Sequence, residues 1–322
     1  MKLVSFNTLM SRYPALFAGV LLVISVLVNL ALQPDLLSGN TINNNMRVFL
    51  PIILLSAGQA IVILGGGIDI SSGGIVSIIN TVLATQVGLQ GSTEDMWLWM
   101  GISLLIGMAA GALNGFFIAY LRLQPIITTY ATSFIFFGLA LFILPNPGGG
   151  IPQVVSNWYR TTQPLGIPLA FFVIAVVILV WVYTRNTRYG RYLFAFGGRA
   201  QAAYESAVPV QMVQFSTYVI SGLMAALSGI AITMLSGSGN AEIGTPMTLN
   251  SITGVVIGGT AMSGGVGGIA GPVMGAIVLG VLQNIVSFSQ ISTWWETLVK
   301  ASIIVLALAA PGIINLFKRS QS

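Results

Sequence analysis

The stretch LGGGIDISSGG at residues 64–74 places one carboxylate, Asp69, among five glycines and between two long apolar runs. Glycine lets a helix break and lets backbone segments approach one another closely. The amide and carbonyl groups that a break leaves free must find polar partners, because lipid offers none. The interpretation of the stretch therefore depends on whether the runs beside it cross a membrane.

The composition identifies these runs as membrane spans. Of the 322 residues, 55% are hydrophobic and only 6% are charged, whereas a soluble domain carries about 25% charged residues. The apolar residues are grouped in runs of roughly 17–22, the length with which an α-helix crosses about 30 Å of hydrocarbon. The sequence predicts an all-α polytopic membrane protein.

About ten transmembrane helices are predicted, in one transmembrane domain over residues 1–322. Both termini are expected to be cytoplasmic, because this orientation leaves only Arg47, Arg160 and Lys300 outside or near the outer face. The predicted helices lie at about residues 15–33, 48–64, 74–90, 97–121, 126–144, 169–184, 216–236, 250–264, 270–289 and 297–317. The basic residues placed inside are Lys2, Arg12, Arg122, Arg185, Arg188, Arg191, Arg199, Lys318 and Arg319.

Several classes of activity are excluded by residues that the sequence lacks. Without cysteine or histidine, and with seven scattered acidic residues, disulfides, thiol nucleophiles, metal sites and cofactors are not expected. None of the three lysines stands in a Gly-x-x-x-x-Gly-Lys-Ser/Thr loop, so the chain has no ATPase motif of its own and no catalytic residue is assigned. The net charge of +5 indicates cytoplasmic loops rather than nucleic-acid binding.

A second glycine-broken joint, IGGTAMSGGVGGIAGP at residues 257–272, follows a predicted span that is short for a bilayer. Interrupted helices in both halves of a transporter indicate a translocation site. At the first joint, Asp69 with Ser71 and Ser72 is expected to cap the helix that follows. A direct role of Asp69 in gating or substrate contact is the alternative.

Polar side chains recur within the predicted spans. Uncharged amides and hydroxyls suit a neutral, polyhydroxylated ligand, but they suit hydrogen bonds between helices equally well. The glycines of 107–115 and 271–275 have GxxxG spacing, which favours close helix packing. The polar residues are Gln59, Asn80, Asn114, Thr128, Thr129, Tyr130, Ser221, Asn250, Thr253, Gln283 and Asn284. Those assigned to a translocation pathway or to gating are Gln59, Asp69, Ser71, Asn80, Asn114, Thr128, Thr129, Asn250, Thr253 and Asn284.

Four motifs in order resemble the inner-membrane permease subunits of bacterial ATP-binding-cassette importers of the ribose and monosaccharide type, over about residues 50–315. The first, GGIDISSGG, departs from the family pattern at Ser72 and Gly74. NGFFIAYLRLQPIITTYAT at 114–132 and VVIGGTAMSGGVGGIAGPVMGAIVLGVLQN at 255–284 are similar to two further family segments. YGRYLFAFGGRAQAAYESAVPV has Arg199 in place of an Asn and Ala207–Val208 in place of Gly-Ile. Thr248 and Asn250 stand where the family usually has two carboxylates.

The resemblance implies a permease dimer in the bacterial inner membrane, with a cytoplasmic ATPase pair and a periplasmic solute-binding protein as partners. The ATPase is expected on a coupling loop at 185–215, which contains the helix-favouring AQAAYESA. The loss of the carboxylates at Thr248 and Asn250 predicts that the second permease is a related chain, and a second copy of this chain is the alternative. The residues assigned to coupling are Arg191, Gly197, Gly198, Arg199 and Glu205.

Two alternatives to a sugar importer remain open from the sequence. One is an ion-coupled secondary carrier that works alone, although few carboxylates lie within the spans. The other is the same importer architecture with a nucleoside, a branched-chain amino acid or a signalling sugar as cargo. An intramembrane enzyme is not favoured, since no pair of nucleophile and base stands out.

Overall fold

The computed structural model of the protein describes residues 15–289 and, beyond them, only residues 292, 294, 295, 297, 298, 301 and 302. This part of the chain is built from α-helices, joined by turns and one 3₁₀ turn at Pro164–Gly166. The all-α prediction is confirmed. The helices between residues 15 and 289 are α1 (Ala15–Leu32), α2 (Gly39–Leu64), α3 (Ser72–Gln86), α4 (Thr93–Ala119), α5 (Pro125–Ile143), α6 (Gln153–Thr161), α7 (Leu169–Asn186), α8 (Arg188–Gly198), α9 (Ala200–Glu205), α10 (Val210–Ser236), α11 (Thr245–Ile257) and α12 (Ala270–Phe288).

Seven helices of the described residues are long and apolar enough to cross a membrane: α1, α2, α4, α5, α7, α10 and α12. Two of the predicted spans are shorter. At 15 and 13 residues, α3 and α11 extend only about 20 Å, against about 30 Å of hydrocarbon. The tenth predicted helix, 297–317, and the terminal basic residues Lys2, Arg12, Lys300, Lys318 and Arg319 lie outside the described residues, apart from isolated positions.

Three predicted helices have boundaries that are wrong by more than four residues, and polar helical ends explain two of these cases. Helix α2 begins at Gly39, not at residue 48, because Ser38 accepts a hydrogen bond from the Thr41 amide and starts the helix in a polar segment. Helix α10 likewise begins at Val210 rather than at 216. Helix α11 covers Thr245–Ile257 instead of 250–264, because the glycines after Ile257 end it.

Helices α2 and α10 form the centre of the molecule and contact each other and most of the remaining helices. Close backbone contact joins α4 to α10, as the GxxxG spacing of 107–115 predicts. A Cβ atom on Gly107 would lie 2.5 Å from the Gly222 carbonyl oxygen, and one on Gly111 would overlap the Tyr218 carbonyl oxygen. Gly271 and Gly275 meet α11 in the same way, at Gly258 and Gly254. The packing role predicted for both glycine series is confirmed.

Arg47 and Arg160 stabilise the end of the molecule that lies far from the two glycine-broken joints. The Arg160 guanidinium donates to the Leu235 carbonyl at 2.7 Å, in the last turn of α10. Arg47 in turn donates to the Arg160 carbonyl at 2.9 Å. A cation at the carboxyl end of a helix is favoured by the helix dipole, so both arginines have a structural role here.

Candidate functional site

The break between α2 and α3 is centred on the buried carboxylate of Asp69, whose side chain is 0% exposed. One carboxylate oxygen accepts from the Ser71 amide at 2.9 Å and from the Ser71 hydroxyl at 2.6 Å. The other accepts from the Ser221 hydroxyl of α10 at 2.8 Å. Buried polar groups need such partners, and here they fix the position of the break against α10.

The prediction that Asp69 caps α3 is wrong. The N-cap position is held by Ser71, whose side chain makes no cap hydrogen bond. Instead, the Gly73 amide in the first turn donates to the Thr248 hydroxyl of α11 at 3.0 Å. Thr248 also donates to the Ile70 carbonyl at 3.4 Å. The residue that caps α3 therefore comes from another helix, α11. Thr248 is also one of the two positions at which the related permeases usually have a carboxylate.

Amide and hydroxyl side chains from α2, α4 and α5 complete the surroundings of Asp69. The side-chain amide of Gln59, oriented so that its oxygen and its nitrogen both find a partner, bonds to the backbone of Asp69. It donates to the Asp69 backbone carbonyl at 3.0 Å and accepts from the Asp69 backbone amide at 3.2 Å. Asn114 donates to the Ser71 hydroxyl at 2.7 Å. Thr129 accepts from the Ile70 amide at 3.1 Å. We call Gln59, Asp69, Ser71, Asn114, Thr129 and Ser221 the Asp69 network.

The other residues assigned to the pathway lie elsewhere. Asn80, in the middle of α3, donates to the Thr233 hydroxyl of α10 and to the Ser238 carbonyl in the loop after α10. Thr128 and Thr253 donate to carbonyls of their own helices. Asn284 donates to Asn45 at 3.1 Å, and Asn250 lines a separate cavity of about 250 Å³.

Two residues next to the Asp69 network were missed by sequence reasoning. The Thr132 hydroxyl donates to the Asn114 side-chain oxygen at 2.7 Å, on the side of Asn114 away from Ser71. The Tyr218 hydroxyl has no hydrogen-bond partner in the described part of the chain and stands against Gly67. Thr132 lies one turn after Thr128, which could have indicated it. The position of Tyr218 depends on how α10 packs.

The second break, between α11 and α12, lies against the first. Its chain reversals use positive φ at Gly259, Gly264, Gly265 and Gly267, which glycine adopts without strain. The Gly265 amide donates to the Leu64 carbonyl at 3.0 Å, where α2 ends. The two joints that the sequence predicts separately therefore form one contiguous region.

The predicted coupling segment lies at the same end of the molecule. It folds as α8 and α9, and α9 confirms the helix predicted from AQAAYESA. Arg191, Gly198, Arg199 and Glu205 are exposed, whereas Gly197 is half-buried. Glu205 accepts from Gln201 within α9 at 2.9 Å.

Replacing Thr248 with valine is expected to lower the free energy of unfolding by about 1 kcal/mol, because the Gly73 amide loses its capping acceptor while side-chain volume is kept. Thermal unfolding of the purified protein measures this. Thr253→Val is the matched control in the same helix, since the Thr253 hydroxyl bonds only to Leu249 of its own helix. Equal melting temperatures for the two variants would show that Thr248 does not cap α3.

Comparison with known proteins places this architecture in a family. A profile of the family described as branched-chain amino acid transport system / permease component matches residues 41–308. The ribose import permease protein RbsC of Escherichia coli (strain K12) is 30% identical over 89% of this chain and 90% of its own length. Ribose import permease protein RbsC of Bacillus subtilis (strain 168) is 31% identical over 95% and 94%.

A third relative is named for a different transported compound. The autoinducer 2 import system permease protein LsrD of Photorhabdus temperata is 28% identical over 94% of this chain and 92% of its own length. No solved structure gives a significant match. With the profile covering most of the chain and seven helices able to span a bilayer, the chain is a multi-pass membrane protein and belongs to this family of permease components of import systems.

Proposed function

We propose that the chain moves a monosaccharide or a similar small polar solute into the cytoplasm, as the permease subunit of an ATP-binding-cassette importer. The observation that carries the proposal is similarity along nearly the whole chain to import permeases, of which two are named for ribose and one for D-allose. The energy comes from a separate ATPase subunit, because the sequence has no nucleotide-binding loop.

The Asp69 network is the proposed gate of the pathway. It supports this role by joining four long helices to one break through side-chain hydrogen bonds. Because hydrogen bonds rather than apolar packing hold this break, its residues can change their hydrogen-bond partners when the helices move. A pathway role for Asn80, Thr128, Asn250, Thr253 and Asn284 stays a prediction, and their bonds within and between helices also suit a packing role.

The proposed topology has ten helices with both termini cytoplasmic. With ten crossings, the two breaks (65–71 and 258–269) and the coupling segment (185–215) lie on the same side of the membrane. Contact among these three segments supports this topology. These three segments lie against one another. On this topology their common face is cytoplasmic, and the face with Arg160 receives the periplasmic solute-binding protein.

The proposed partners are a pair of cytoplasmic ATPase subunits, the solute-binding protein and a second, related permease. The exposed side chains of α8 and α9 form the proposed ATPase docking surface, with Arg199 at the bend between them. Tyr204 is 70% exposed in α9, and an exposed aromatic beside an arginine is the residue pair that interface hot spots favour. Arg191, Gly198 and Glu205 belong to the same surface.

Mild extraction of the tagged protein from its native membrane is expected to co-purify an ATPase and a second permease. The double change Arg199→Glu and Tyr204→Ala is expected to lower ATPase recovery at least tenfold, because it removes both anchors without touching a buried group. Quantitative mass spectrometry of the extract measures the recovery. Glu94→Lys, an exposed charge reversal at the other face, is the control.

Two outcomes of this experiment would contradict the proposal. A well-folded protein that repeatedly arrives alone indicates a secondary carrier instead. Full ATPase recovery with the double variant leaves the importer in place but removes the docking assignment.

A further inference from the structure

The double glycine at the end of α8 lies directly between the two broken joints. Building on the proposed function, we propose that the backbone contact of Gly66, Gly197–Gly198 and Gly264–Gly265, here called the glycine junction, transmits movement of the coupling segment to both breaks at once. Gly197 is its positioning residue.

Gly197 is packed so closely that only glycine fits. A Cβ atom at this position would overlap the Leu64 carbonyl oxygen and would lie 2.7 Å from the Gly265 amide nitrogen. Leu64 ends α2 and leads into the break that holds Asp69, and Gly265 belongs to the other break. One residue of the coupling segment therefore touches both breaks.

The contacts from the other side are equally close. A Cβ atom on Gly264 would lie 2.6 Å from the Gly197 carbonyl oxygen and 3.0 Å from the Gly66 Cα atom. One on Gly265 would lie 2.5 Å from the Gly198 Cα atom. The φ angles of Gly66, Gly264 and Gly265 are +73°, +83° and +70°, which L side chains rarely adopt. Three separate segments thus each supply glycine at their common contact.

A hydrogen bond ties the junction together. The Leu64 carbonyl belongs to the last turn of α2, where carbonyls lack partners within the helix, and it accepts from the Gly265 amide at 3.0 Å. Because the contact joins backbone to backbone, no flexible side chain absorbs a displacement of α8. A shift of Gly197 has to move Leu64, Gly265 or both.

The junction also adjoins the proposed docking surface. Helix α8 ends at Gly198, and Arg199 is extended with φ −154° before α9 begins. Force applied at Arg199 therefore acts two residues from Gly197. On the other side, Gly66 lies three residues before Asp69, so the path from the docking surface to the Asp69 network is short.

The test compares Gly197→Ala with Gly101→Ala in the complete importer, with its ATPase and solute-binding protein, reconstituted in liposomes. A Cβ atom on Gly101 of α4 meets nothing within 4 Å, so this residue, which lies outside the glycine junction and the docking surface, is a control with the same substitution. We expect solute transported per ATP hydrolysed to fall at least tenfold for Gly197→Ala, with ATPase recovery retained, and to stay within about twofold for Gly101→Ala. Normal transport by Gly197→Ala, or equal losses in both variants, would overturn the proposal.

Hydrogen exchange of the unaltered complex tests the proposal even if Gly197→Ala fails to assemble. Addition of a non-hydrolysable ATP analogue is expected to change amide protection in residues 65–71 and 258–269 together with residues 188–199. A response confined to the coupling segment, or to one break alone, would refute joint transmission. Absence of any ATPase from the unaltered preparation would refute the proposed function instead, so the two failures are distinguishable.

Discussion

Replacing Asp69 with leucine is expected to abolish transport and to lower the free energy of unfolding by about 3 kcal/mol or more. The change removes the acceptor of the Ser71 amide, the Ser71 hydroxyl and the Ser221 hydroxyl. A buried donor left without an acceptor costs about 1–3 kcal/mol. Thermal unfolding of the purified protein and solute uptake into liposomes measure the two effects.

Asp69→Asn removes the negative charge but can keep the hydrogen bonds, so this variant distinguishes the effect of the charge from that of the bonds. The asparagine oxygen can keep both bonds from Ser71, and its NH₂ group can donate to Ser221, whose hydroxyl then accepts. The fold should therefore survive. Bonds to a carboxylate are about twice as strong as those to a neutral amide, so the break loosens, and we expect uptake about tenfold below that of the unaltered protein.

Ser221→Ala is the companion variant, because it removes one donor and leaves the carboxylate in place. Its uptake is expected to lie between that of the unaltered protein and that of Asp69→Asn. Unaltered uptake by Asp69→Leu would show that the Asp69 network has no part in the pathway. Complete unfolding of Asp69→Asn would show that the charge is needed for folding itself.

Much of the fold can be predicted from the sequence, because membrane spans and glycine breaks are local signals. The apolar runs indicate the helices, and the glycines of 64–74 and 257–272 indicate where helices are interrupted. Ends such as Gly39 and Val210 could not be predicted, since polar residues extend a helix beyond the hydrocarbon without raising its hydrophobicity.

The site is only partly predictable, for a physical reason. Gln59 and Asn114 have the same chemistry as Asn80 and Asn284, and only the rotation and depth of each helix decide which of them reach Asp69. Those quantities arise from packing and leave no periodic signal. Thr248, which caps α3 across 175 residues of sequence, is a tertiary contact that no local pattern of Ser71 and Ser72 could indicate.

Gly107→Leu is expected to prevent folding, as judged by the loss of monodisperse protein after extraction. Its Cβ atom alone would lie 2.5 Å from the Gly222 carbonyl oxygen and 2.5 Å from the Ala226 Cβ atom. Helices in a bilayer associate through close packing of small residues, because lipid provides no hydrophobic drive between them. The α4–α10 contact therefore cannot open without loss of its stabilisation. Size-exclusion chromatography of the extracted protein checks the result.

Gly101→Leu is the control in the same helix, since a Cβ atom on Gly101 meets nothing within 4 Å. We expect it to behave as the unaltered protein. The contrast matters for the site because Gly111, one turn beyond Gly107, packs on the Tyr218 carbonyl, and Ser221 lies one turn after Tyr218. The glycine contact thus sets the distance from α10 to Asp69. If Gly107→Leu does fold, we expect it to lose the Ser221–Asp69 hydrogen bond and, with it, solute uptake. Normal uptake by the folded variant would show that the Asp69 network tolerates displacement of α10.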